Sequence, residues 1–317
     1  LAEGALIGLP TETVYGLAAD ALNPDAVARI FTSKGRPANH PLIVHLANAA
    51  QVDLFASDAP AFATRLMNAL WPGPLTLILP KKNGVADAAA GGHQTIALRC
   101  PSHPVALAVL QAARTLGVQG VAAPSANLFG SVSPTTADHV RAAFPSLLVL
   151  DGGACDVGIE STIVDCSRAV PMLLRPGMLS LAQLSHAAGV AVLRVQAQDG
   201  TSVDSTTCSK TQATAAPGTL ASHYAPRARL RLLSASDMES RLGNTDGHVA
   251  LWIRSDMPVP AGVVRSVMPS GAAQCAHDLF AQLRALDAQG VQEIWVETPP
   301  DGEAWDGVRD RLERAAA

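Results

Sequence analysis

Aromatic side chains make up only 4% of this 317-residue chain, so alanine, valine and leucine must build its core. Charge is sparse too: Asp, Glu, Lys and Arg together reach 16%, and the formal net charge is -4. That balance excludes a protein that coats nucleic-acid phosphates with Lys and Arg over its whole surface. It leaves room for a local basic cavity, because net charge says nothing about one concave face. No apolar run approaches the length needed to span a bilayer and no signal peptide is visible, so no membrane association is expected. The five cysteines (Cys100, Cys155, Cys166, Cys208, Cys275) are odd in number and form no CxxC pair. This disfavours a disulfide framework or a structural zinc site, and a reducing, cytoplasmic location is the simpler reading. Absent as well are a GxxxxGKS/T loop, an HExxH pair and a GxSxG elbow. Without a P-loop, phosphate must be met by cationic and hydroxyl side chains and by backbone N–H groups exposed at turns.

What is present is ample core material: 48% hydrophobic residues and a mean hydropathy of +0.21, enough for one large or two ordinary domains. Residues 5–9 read as a first strand, broken by Pro10. The chain opens at Leu1 almost directly on that strand and without methionine, so further residues are expected before it. Asn23-Pro24-Asp25 is a helix start: a capping side chain, Pro at the first helical position, an acid in the first turn. Val27, Ile30 and Phe31 share one face of that helix, and Gly35 ends it. Residues 41–46 form an apolar run suited to a strand buried on both faces. Helices are expected at 49–55, 59–70 and 104–116, and strands at 75–79, 95–99, 120–123, 147–150, 161–165 and 172–174. Because strands and helices mix without strict alternation, the expected fold is α/β with a twisted mixed sheet. Residues 196–216 are rich in Ser, Thr, Gln, Asp and Ala without apolar period and read as a linker. Strands at 229–233, 248–253 and 293–296, with helices at 235–242, 272–288 and 303–315, then make a small Rossmann-like α/β unit. The division is thus 1–195, 196–226 and 227–317. The second unit lacks a Gly-rich phosphate loop, and its shape alone assigns no function.

The richest stretch for chemistry is residues 9–46, where polar side chains cluster at the ends of elements. Lys34-Gly35-Arg36-Pro37 places two cations on a corner stiffened by Pro, able to approach a polyphosphate from two directions; a solvated helix end is the bland alternative. His40 follows, and His45 ends the buried strand. Thr11 and Thr13 lie just after the first strand and suit a small polar ligand, the alternative being a capping box ahead of a short helix. Ala123-Pro124-Ser125-Ala126-Asn127, leading on to Ser131 and Ser133, leaves backbone accessible for phosphate or ribose. Thr95 and Arg99 share one face of a strand. A cation in a strand as apolar as TIALR needs an anionic partner, either a substrate carboxylate or a structural Asp or Glu. Gly158-Ile159-Glu160-Ser161-Thr162 makes a Gly-started approach to a strand, and Arg175 ends another. Each signal is weak alone.

Their order is not. PTETVYGLA, KGRP with NHPLIVH, WPGPLTLIL, TIALRCPSHP, APSAN, DGG followed by GIESTIVD, LLRPG and finally APGTLASHYAP occur in sequence along the chain. This series closely resembles the YrdC-like family of threonylcarbamoyl-AMP synthases, in its longer two-domain branch. Two departures stand out: the short lead usually expected before the first strand is missing from this sequence, and Leu220 and Ser222 occupy positions where basic residues are often seen.

The resemblance implies a concave active-site cavity in the first domain. It implies condensation of L-threonine, bicarbonate or CO2, and ATP into threonylcarbamoyl-AMP and pyrophosphate, with Mg2+ sharing the neutralisation of the ATP phosphates. The product would serve a tRNA threonylcarbamoyl-transferase complex that modifies adenosine, with at most weak tRNA contact by this chain. By position in the family pattern, Lys34, Arg36, Ser125 and Asn127 match the catalytic set. ATP binding falls to Lys34, Arg36, His40, Thr95, Ser125, Ser133, Arg175 and Tyr224. Threonine binding falls to Thr13, His45, Arg99, Ala123 and Ser161, and the loop bearing Tyr224 acts as a lid. The rival of a different class is an RNA-binding or ribosome-associated module using the same cavity without turnover; the net charge and the lack of interleaved aromatics count against it. A carbamoyl-phosphate-using relative would carry extra maturation and metal-binding segments, which the chain lacks. A dead scaffold would have lost members of the Lys34, Arg36, Ser125 and Asn127 set, and all four are present.

Overall fold

The computed structural model describes residues 1–194, 216–218, 222–243 and 248–317. Among them, the first part of the chain forms one ten-stranded mixed sheet. Its strands are β1 (Ile7–Leu9), β2 (Gly16–Asp20), β3 (Ile43–His45), β4 (Leu75–Pro80), β5 (Thr95–Arg99), β6 (Val121–Ala122), β7 (Leu148–Val149), β8 (Thr162–Asp165), β9 (Met172–Arg175) and β10 (Leu193–Arg194). They lie in the order β10-β9-β8-β4-β5-β3-β6-β2-β1-β7. A separate sheet of β11 (Arg229–Leu233), β12 (Val249–Ile253), β13 (Val264–Val267) and β14 (Glu293–Glu297) is parallel throughout, ordered β11-β14-β12-β13. The fold is therefore α/β, with a mixed sheet in the first part and a smaller parallel one in the second.

The central strands show why the site forms where it does. Side chains alternate along a strand, and Leu42, Val44, Leu46, Leu77, Leu79, Ile96 and Leu98 all enter the main core. The alternate positions, Ile43, Ile78 and Ala97, make a small apolar patch with Ile163. On that second set, β3 runs parallel to β5 with His45 opposite Arg99, and β4 runs antiparallel to β5 with Thr76 opposite Arg99. Three polar side chains thus converge where the apolar patch ends.

The first helix, Pro24–Lys34, forms as its sequence dictates. Asn23 Oδ1 accepts from the N–H groups of Asp25 and Ala26, both at 3.1 Å, and Gly35 closes the helix in the left-handed region at φ 62°. The capping-box alternative for Thr11 and Thr13 fails: residues 16–20 are strand, pairing antiparallel with β1. Gly16 is required there, since a Cβ would lie 2.9 Å from Ala123 Cβ, where β2 passes the start of the 123–127 loop. A strand at Val264–Val267 and helices at Ala137–Ala143 and Leu181–Ala188 were not among the expected elements.

The two sheets share packing. Val14, Val132, Ile159 and Tyr224 join Phe280, Leu283, Val308 and Leu312 in one buried cluster. The linker expected at 196–216 lies outside the described residues, apart from Ala216. Cys100, Cys155, Cys166 and Cys275 are buried free thiols, and Cys208 is outside the described residues. Among the described residues no helix is long and apolar enough to cross a membrane.

Candidate active site

A cleft opens over the polar ends of β3 and β5. At its floor Arg99, almost fully buried, donates from Nη1 to Thr13 Oγ1 at 2.8 Å, while Nη2 lies 2.8 Å from Glu12 Oε1. Thr13 is fixed in turn by Thr11, whose hydroxyl is 3.0 Å away and donates to the Val14 carbonyl at 2.6 Å. Burial pushes the Glu12 carboxyl up, but the Arg99 guanidinium and nearby hydrogen bonds outweigh it and hold Glu12 below the usual carboxylate range. Burial, reinforced by the charge of Arg99, drives His45 down to about 3, so its ring is neutral at physiological pH. Its Nδ1 has no hydrogen-bond partner among the described residues. The structural carboxylate anticipated as one partner for Arg99 is therefore Glu12, a residue that sequence reading left unassigned.

The opposite wall is cationic. Arg175, at the end of β9, donates from Nε and Nη2 to the Ser161 carbonyl at 3.1 and 2.8 Å, and from Nη1 to the Pro217 carbonyl at 2.8 Å. The Ser161 hydroxyl is 2.8 Å from that of Thr76. Among the described residues, Arg36 is held by Nη2 to the Pro41 carbonyl at 3.2 Å and by the face of Phe129, 5.8 Å away, and its Nε is buried without a partner. Burial pulls Arg36 down to about 10, still protonated at neutral pH. Burial and then the charge of Arg36 pull Lys34 well below its ordinary value. Its Nζ donates to the carbonyls of Ser125 and Asn127, tying the 125–127 turn to the first helix. Among the described residues, none of Lys34, Arg36 and Arg175 forms an ion pair with a carboxylate.

The roof is the short segment around Tyr224. The tyrosine sits at φ 64°, fully buried, with its ring 5.5 Å from Phe280 and 4.1 Å from His223. Among the described residues its hydroxyl has no hydrogen-bond partner, and burial together with the charge of Glu160 pushes it up to about 12. Gly218, at φ 70°, fits beside it because any Cβ would overlap the Tyr224 hydroxyl and Arg175 Nη1.

The cavity thus brings together Thr13, Arg36, His45, Arg99, Ala123, Ser125, Ser161, Arg175 and Tyr224. Lys34 and Asn127 stand behind it: the Asn127 amide nitrogen donates to the Leu128 and Ser131 carbonyls, both at 2.8 Å. Ser133 also stands behind, its hydroxyl donating to Glu160 Oε1 at 2.5 Å. His40 packs against Phe129, 5.7 Å between ring centres, and Thr95 begins β5, four residues from Arg99; neither lines the cleft. Thr11, read with Thr13 as suited to a small polar ligand, also lines the cleft, whereas sequence reading missed Glu160, Pro217, Gly218 and His223 among the lining residues. Glu160 and His223 were visible inside quoted motifs, but nothing local marks which motif residue faces a cavity.

Two family models together cover the chain. The Sua5/YciO/YrdC model, described as telomere recombination, matches residues 1–177, and the model for the threonylcarbamoyl-AMP synthase C-terminal domain matches residues 179–317. The chain belongs to the threonylcarbamoyl-AMP synthase family. The threonylcarbamoyl-AMP synthase of Pyrococcus abyssi is 37% identical over 99% of this chain and 91% of its own length. That of Bacillus subtilis is 36% identical over 100% of this chain and 90% of its own. The crystal structure of P. abyssi Sua5 complexed with L-threonine matches with a TM-score of 0.86 at 35% identity, over 99% of this chain and 91% of that one. A second P. abyssi Sua5 structure, with an adjacent His–Tyr pair replaced by alanines, has the same TM-score and identity, over 99% and 90%. Threonylcarbamoyl-AMP synthase membership thus rests on both halves of the chain. His223-Tyr224 is the only adjacent His–Tyr pair in this synthase-family sequence.

Proposed function

We propose that the chain condenses L-threonine, bicarbonate or CO2, and ATP into threonylcarbamoyl-AMP, releasing pyrophosphate. The observation that carries this reading is one cleft whose floor holds Arg99 and whose wall holds Arg36 and Arg175, which have no carboxylate partner among the described residues. Buried cations without counter-ions cost several kcal/mol, of order 3–5 when a partner is removed. A polyphosphate supplies the missing charge. The relative that binds L-threonine makes the smaller ligand concrete.

In this reading Arg99, braced by Thr13, pairs with the carboxylate of threonine, while His45, Ala123 and Ser161 shape the pocket around its side chain. The threonine amine captures CO2 as a carbamate, losing a proton. A carbamate oxygen then attacks the α-phosphorus of ATP, and the bond to pyrophosphate breaks. Arg36 and Arg175 neutralise the phosphates, with His40, Thr95, Ser125, Ser133 and Tyr224 completing the nucleotide's surroundings. Lys34 and Asn127 hold the Ser125 turn in place. Catalysis is then positioning and charge neutralisation rather than covalent chemistry. A lid over the site would keep water from a labile mixed anhydride.

A dedicated magnesium cage does not fit these residues: among the described residues no three His, Cys, Asp or Glu side chains cluster to hold a metal, and Glu12 and Glu160 each face an arginine. Mg2+ would accompany ATP through its phosphates and water. The product would pass in the cytoplasm to a tRNA threonylcarbamoyl-transferase complex, any direct tRNA contact by this chain being weak.

The test is pyrophosphate release from ATP with threonine and bicarbonate omitted in turn. Release that needs both, with serine a poor substitute, is the expected result. Release without threonine would mean a different acyl-adenylate chemistry, and ATP binding with no release would favour a binding module.

A further inference from the structure

The second domain braces one of the residues that line the cavity. Arg311, on the terminal helix Asp306–Ala316, is fully buried despite its permanent charge. Its Nε donates to Glu160 Oε2 at 2.7 Å, Nη2 to the Glu160 carbonyl at 3.1 Å, and Nη1 to the Pro176 carbonyl at 2.9 Å. Nη1 also meets Asp310 Oδ2 at 2.6 Å, and the guanidinium lies 5.5 Å from the centre of the Tyr224 ring. Glu160 itself lines the cavity.

A buried carboxylate beside a phosphate site poses an electrostatic problem. Left alone, Glu160 would either repel the phosphates or capture Arg175, whose charge already acts on it. Burial pushes Glu160 up, yet Arg311 and then Arg175 outweigh burial and keep the carboxyl ionised. The charge therefore has to be cancelled rather than titrated away. Arg284, on the helix Ala272–Asp287, supports the same region by donating to the carbonyls of Val132 and Ser133.

We infer that Arg311 is a positioning residue for the synthase reaction: by pairing with Glu160 it leaves Arg36 and Arg175 free for the nucleotide's phosphates. The second domain then has an electrostatic task at the first domain's site, beyond packing. This inference rests on the nucleotide reading of the cavity proposed above.

A double-mutant cycle tests it. ATP KM, threonine KM and kcat for pyrophosphate release are measured for wild type, Arg311→Met, Glu160→Gln and Glu160→Gln/Arg311→Met, with a thermal unfolding curve for each. Wild-type turnover comes first; its failure would sink the synthase reading, and ATP affinity by calorimetry would then carry the comparison without turnover. Arg311→Met should raise the ATP KM by about tenfold or more, with smaller changes in kcat and threonine KM. In the Glu160→Gln background the same substitution should change the ATP KM by less than about threefold, because no charge is left to cancel. A merely structural arginine would give equal effects in both backgrounds, and that result would overturn the inference, as would an unchanged ATP KM in folded Arg311→Met. Should Arg311→Met fail to fold, Arg311→Lys takes its place in the cycle. Lysine keeps the charge but loses the fork, so a smaller ATP-specific rise, again confined to the Glu160 background, is expected.

Discussion

The two ends of the cavity are built by different rules. At the Arg99 end every group comes from the first sheet and its first loop, and the charge is already balanced: Arg99 faces Glu12 at 2.8 Å. At the Arg175 end the groups come from the first helix's corner, β9, residues 217–218 and 223–224, and Glu160 backed by Arg311, and among the described residues Arg36 and Arg175 lack carboxylate partners. Register aligns His45 beside Arg99 through β3 and β5, and the loop after β1 adds Thr13 and Glu12. The second end is assembled from segments far apart in sequence, and its excess positive charge awaits a ligand. A small zwitterion suits the first and a polyphosphate the second.

The sharpest way to break this contrast is Arg99→Met. It strands the Glu12 carboxylate in the interior, so folding stability should fall by about 3–5 kcal/mol, read as a lower unfolding midpoint in denaturant. Arg36→Ala should do the reverse. Among the described residues its side chain makes one hydrogen bond, to Pro41, so stability should hardly change, while turnover drops by at least about 10²-fold. A normal turnover in that variant would remove Arg36 from the mechanism.

Smaller effects separate the ends further. Gly218→Ala should raise the ATP KM and spare the threonine KM, with a stability cost of about 1–2 kcal/mol from the left-handed backbone. Equal changes in both KM values would mean that the 217–218 turn does not belong to one end.

Acid should unfold the protein through its buried histidines. His45, at the floor, is depressed from its ordinary 6.5 to about 3, and His223, at the roof, to about 4, burial being the main cause in both. The unfolded chain therefore binds protons that the folded one refuses, and stability present above pH 6.5 is lost as the pH falls. Each residue contributes a slope of up to about 1.4 kcal/mol per pH unit. The contribution of His223 should be exhausted near pH 4 and that of His45 near pH 3. Melting curves of His45→Gln and His223→Gln between pH 7 and 4 should each be flatter than wild type; an unaltered slope would mean that the ring is already solvated.

Much of this was legible in the sequence, for local reasons. The helix Pro24–Lys34 announced itself through Asn23, Pro24 and Gly35, and the strand Thr95–Arg99 through its apolar run. The strand Gly16–Asp20 was hidden because GLAAD has no β-branched residue; only its pairing with β1 and β6 makes it a strand. The helix Leu181–Ala188 did carry a signal, a Ser180–Gln183 capping box with Gly189 at its end, which went unread. Within the site, Arg99 was predictable as a cation needing an anion, but Glu12 as its partner was not. The pairing of Glu160 with Arg311 joins residues 151 positions apart, and no local pattern encodes it.

The measurement that tests the two-ended cavity most directly is calorimetric titration of L-threonine and of ATP into wild type, Thr13→Val and Arg36→Ala. Thr13→Val removes the acceptor of Arg99 Nη1 and should weaken threonine binding by about tenfold while leaving ATP binding intact. Arg36→Ala should weaken ATP binding and leave threonine binding intact. Loss of both affinities together in either variant would contradict the account.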